Sequence, residues 1–125
     1  MNTDRELLEM AAKAAGLKNH RHSACGMREE RVHSVTHCGF TGPDWNPLTD
    51  DGDAFRLLVR LGISLESDAR IEMDGDGDYE SGVEAWKVTN EITAIKAKEV
   101  FGRDACATTR RAVVRVAAAI GEQMP

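Results

Sequence analysis

The sequence predicts a small α+β domain in which an antiparallel sheet of about three strands packs with three helices. Three observations carry this expectation. Apolar residues recur at helical spacing near the start, in the middle and at the end of the chain. β-Branched and alternating stretches, separated by glycine-containing turns, fill the interval before the last of these. The 125 residues are 42% hydrophobic and 30% charged, which suits one folded domain over residues 1–125 with its own core.

The first helix is marked at both ends. Thr3 and Glu6 have the spacing of a capping box, in which the hydroxyl and the carboxylate each accept a backbone N–H at the helix start. Leu7, Leu8, Ala11, Ala14 and Ala15 follow at helical spacing, and Gly16 with Leu17 fits a left-handed stop, so a helix is predicted over 4–15. From Lys18 to Leu48 the pattern breaks into polar sequence rich in His and Gly. Arg31 to Thr36 has the β-branched content of a short strand, and Thr41 to Asp44 and Asn46-Pro47 carry turn chemistry. Most of this stretch is expected to be exposed, and a connection of such length tends to be functional.

The second helix is predicted from Thr49 as N-cap. Asp50, Asp51 and Asp53 in its first turn favour the free N–H groups and the positive end of the helix dipole. Ala54, Leu57, Leu58 and Leu61 form its apolar face, and Gly62-Ile63 its stop. Ile63–Leu65 and Ala69–Met73 read as extended, Asp74 to Asp78 as a turn, and Val83–Val88 as the returning strand. The stretch Asn90 to Phe101 alternates like a strand, although Ile92, Ile95 and Val100 also suit a helix; a third strand is expected. Asp104 caps a last helix running to about Glu122. Its buried face is expected to hold Val113, Val116 and Ile120, with Arg110, Arg111 and Arg115 largely on the solvated side.

Composition excludes some functions. Sixteen basic against twenty-one acidic residues give a net charge of −5, the wrong sign for affinity built on phosphate neutralisation, so nucleic-acid binding is disfavoured. No apolar run approaches the length of a membrane span and the polar opening is unlike a secretion signal, so no membrane association and a cytoplasmic location are expected. Three cysteines at irregular spacing suit a reducing compartment better than a disulfide framework.

Two motifs invite metal chemistry. His20, His22, Cys25, His37 and Cys38 are side chains that zinc uses, and they define the alternative reading of a zinc module or metal-dependent enzyme. Their spacing, however, matches no standard pair of zinc knuckles, and a solvated loop with incidental histidines is the preferred account of them. Asp74, Asp76 and Asp78 open like a calcium loop. Tyr79 then stands where a glycine must turn the chain, and Ala85 where a bidentate glutamate is needed, so a hairpin turn is expected instead. The acidic start of the second helix is explained by capping. No oxyanion hole or orienting third residue accompanies any Cys–His pair, and no catalytic residue is assigned.

The run Trp45 to Leu57, with its W-N-P-L-T-D-D-G-D-A core, resembles a family of small phage and prophage proteins, as do Thr108 to Arg115 and Asp4 to Leu8. The fold of that family is described as a phage α-β-α sandwich. The resemblance implies a phage accessory protein that binds a host protein, including components of host defence, in the host cytoplasm. It implies no reaction. On this reading the chain is a non-enzymatic protein-binding domain without a cofactor, its core built from Leu57, Leu58, Leu61, Val113, Val116 and Ile120. Its partner contacts are expected in the long loop and its margin, at His33, His37, Phe40 and Trp45.

Overall fold

A computed structural model describes residues 3–19, 32–33, 45–73, 75 and 77–125. The helix Asp4–Ala15 (α1) has the full capping box: the Glu6 N–H donates to the Thr3 hydroxyl at 3.2 Å and the Thr3 N–H to the Glu6 carboxylate at 2.9 Å. Two-residue strands Lys18–Asn19 (β1) and Val32–His33 (β2) pair antiparallel, which places a strand inside the predicted stretch Arg31–Thr36. The second helix, Asp51–Leu61 (α2), is capped by Asp50, not Thr49. The Asp50 carboxylate accepts the Asp53 N–H at 2.8 Å, while the Thr49 hydroxyl turns back to the Asn46 carbonyl. Gly16 and Gly62 end α1 and α2 at φ 77° and 66°, a left-handed conformation that glycine adopts without Cβ strain.

Strands Ser64–Met73 (β3), Asp78–Val88 (β4) and Ala94–Val100 (β5) form the antiparallel meander β3-β4-β5. The two extended pieces expected before the Asp/Gly turn are one strand. A bulge between Ser67 and Ala69 accommodates the polar interruption, with Asp68 at φ 59°, a conformation Asp tolerates better than most residues. Met73 pairs with Asp78, so the Asp/Gly run joins two strands of a hairpin and is not flanked by the helices of a calcium loop. Asn90 to Phe101 resolves as strand after a tight turn, in which the Asn90 side chain accepts the Ile92 and Thr93 N–H groups at 2.8 and 2.9 Å.

The helix Ala105–Glu122 (α3), capped by Asp104, is the centre of the molecule: it packs on β4 and β5, and both α1 and α2 pack on it. Val113, Val116 and the unforeseen Val114 are buried, as are Ala112, Ala117 and Ala118, because α3 is covered on more than one side. Leu57 is buried with them, whereas Leu58, Leu61 and Ile120 pack at the margin of the core. No helix among the described residues is long and apolar enough to cross a membrane.

Candidate functional site

The segment leading into α2 is held by its own polar side chains. The Asn46 carbonyl accepts the Thr49 and Asp50 N–H groups, and its side-chain oxygen accepts the Leu48 N–H at 3.0 Å, closing a turn around the buried Pro47. Asp53, only 9% exposed, does more than favour a helix dipole. Its carboxylate accepts the Asn46 N–H at 2.9 Å and the Arg56 guanidinium at 2.8 Å, so the turn and the helix are fastened together. The sequence assigned all these aspartates to capping; Asp53 is instead the keystone of the turn.

Arg110 is likewise not on a solvated face. Its side chain is 15% exposed, and its guanidinium donates to the Leu48 carbonyl at 2.8 Å and to Asp51 at 2.6 Å, tying α3 to the start of α2. Arg111 and Arg115 remain more exposed and pair with Asp4 and Glu99.

These ties fix the walls of an open groove of about 390 Å³. Ala54, Phe55 and Leu58 of α2 form one wall; Ala105, Cys106, Thr109 and Val113 of α3 form the other; Leu65 and Ser67 of β3 and Phe101 complete it, with the Asp51–Arg110 pair beside them. The volume falls in the range of ligand-binding clefts, and the lining is mainly apolar. Phe55 is 66% exposed and Val59, one turn on, 60%. Their exposure is the signal that sequence reasoning passed over: they stand outside the leucine face of α2 and have no reason of packing to be apolar. Cys106 brings a free, exposed thiol to the lining, yet among the described residues no histidine lines the groove as a base. The arrangement suits the reception of apolar side chains.

Of the residues expected to touch a partner, Trp45 is half-buried and packs against the core, as a lid beside the helix start would. His33 belongs to β2, paired through the backbone with Lys18. His37 and Phe40 lie outside the described residues, as do His20, His22, Cys25 and Cys38 of the possible zinc set. Among the described residues no group of three or more His, Cys, Asp or Glu side chains is placed to hold a metal. Comparison of the chain with protein-family models, curated proteins and solved structures finds no match.

Proposed function

We propose that this chain is a non-enzymatic accessory protein of phage or prophage type that acts by binding another protein, and that the groove between α2 and α3 is where it binds. The observation that carries this reading is Phe55: a large aromatic side chain, mostly in solvent, at the lip of an apolar groove whose walls are held by buried polar ties. Aromatic anchors beside apolar pockets dominate binding energy at protein interfaces. The phage context rests on the likeness of Trp45 to Leu57, Thr108 to Arg115 and Asp4 to Leu8 to that family, and a host protein is the partner it implies.

The test compares the wild-type chain with Phe55→Asp in affinity capture from bacterial lysate at physiological salt. Position 55 is exposed, so the variant keeps its thermal midpoint. A protein retained by the wild type and lost with Phe55→Asp supports the groove. Equal capture by both chains, or capture by neither, counts against it.

A further inference from the structure

The hydrogen bonding of the sheet fixes which backbone groups border the groove. The Phe101 N–H donates to the Ser81 carbonyl at 3.0 Å and the Thr89 N–H to the Thr93 carbonyl at 3.1 Å. In the register between them, Val83/Glu99, Ala85/Ala97 and Lys87/Ile95 are therefore the hydrogen-bonded pairs of β4 with β5. The alternate residues of β4, among them Glu84 and Trp86, direct their backbone groups to β3, where Glu66 and Ser64 are opposite. Leu65 and Ser67 are left with N–H and C=O groups aimed away from the sheet, and both residues line the groove. Among the described residues no strand pairs along that side of β3.

The other edge of the sheet is treated differently. On β5 the same alternation turns the Lys98 carbonyl outward, and there the Arg115 guanidinium caps it at 3.2 Å while pairing with Glu99. Charge says what the open edge lacks. Across the face away from the groove, Glu66 stands opposite Glu84, and Glu84 opposite Lys98, whose ammonium lies 3.6 Å from the Glu84 carboxylate. Among the described residues Glu66 has no ion-pair partner. A second copy docked edge to edge, with Leu65 opposite Ser67 and Ser67 opposite Leu65, would set Glu66 against Glu66, a like-charge pair that weakens a sheet.

We infer that the partner adds an extended segment to the outer edge of β3, pairing with Leu65 and Ser67 through its backbone. It places apolar side chains in the groove and a lysine or arginine opposite Glu66. The bulge at Asp68 ends the usable edge, so recognition is confined to a short stretch of alternating apolar and basic residues. This inference rests on the groove reading.

The probe is an end-capped six-residue peptide alternating leucine with lysine, titrated into the full chain while amide hydrogen exchange is followed by NMR. Saturable protection of the Leu65 and Ser67 amides is expected. Ser67→Pro removes one outward N–H without touching the pairing to β4, and it weakens binding on the order of tenfold with the thermal midpoint kept. Glu66→Lys, a second variant that leaves the backbone alone, switches preference to a peptide alternating leucine with glutamate. No protection at these amides, or lysine-peptide binding that neither variant changes, overturns strand addition. A dimer in sedimentation that Ser67→Pro dissolves also overturns it, by making a second copy the occupant. Loss of peptide binding in Phe55→Asp alone retires strand addition and leaves the groove standing; indifference of all three variants removes both.

Discussion

Helix α3 meets its two neighbours in opposite ways. It packs closely on α1, where a Cβ added at the buried Gly121 would land on the Met10 carbonyl oxygen, and both helices bury small residues, Ala11 and Ala15 on α1 and Ala117 and Ala118 on α3. Backbone lies against backbone there, and no space is left. Against α2 the contact is made by Leu57, Leu58 and Val113 near the core, and by the long Arg110 side chain at the helix start; between these lies the groove. Small residues make a seam that cannot open, whereas large side chains and polar ties hold two helices at a spacing that leaves a cleft. The rigid seam supplies the scaffold and the spaced pair supplies the surface.

That contrast sets an order of expected effects. The largest belongs to Gly121→Val, where the obstacle is the backbone of α1 and cannot rotate away. A loss of about 4 kcal/mol, beyond the usual cost of overpacking, is expected by denaturant unfolding. A loss under about 1 kcal/mol would mean that the seam yields and the contrast is false. Leu57→Ala comes next, because it empties a fully packed position at the base of the α2 contact; about 3 kcal/mol is expected in the same measurement. Asp53→Ala leaves the Asn46 N–H and the Arg56 guanidinium without their shared acceptor, and should cost roughly 1–2 kcal/mol. Near-wild-type stability would show that the turn is held by packing of Trp45 and Pro47 alone. The smallest effect is expected at the groove itself: Phe55→Ser should change stability by less than about 0.5 kcal/mol. A loss comparable to Leu57→Ala would show that Phe55 folds inward in solution and that the groove is closed.

The helices were legible because their signals are local. Thr3 with Glu6, Asp104, and the glycines at 16 and 62 act within one turn of chain, and the structure uses each of them at the predicted place. Thr49 was misjudged as a cap because two adjacent residues can both accept the needed N–H, and the Asn46 turn decides between them. The groove was hidden because its lining comes from four separate stretches, and Phe55 looks in sequence like any residue of an apolar-rich helix. The His/Cys-rich stretch is more conspicuous in sequence, because uncommon side chains cluster there, and most of those residues lie outside the described part of the chain.

By itself the sequence determined the α+β class, three helices with all their ends except the cap of α2, and the hairpin around the Asp/Gly run, since periodicity, caps and turns depend on near neighbours. Tertiary structure alone decided which apolar residues go unused, that Arg110 is enclosed while Arg115 guards a sheet edge, and that Leu65 and Ser67 direct their backbone groups outward beside a cleft. The physical reason is the same in each case. Burial, ion pairing and the alternation of a strand's hydrogen bonds are fixed by elements distant in the chain, and no window of sequence contains both partners.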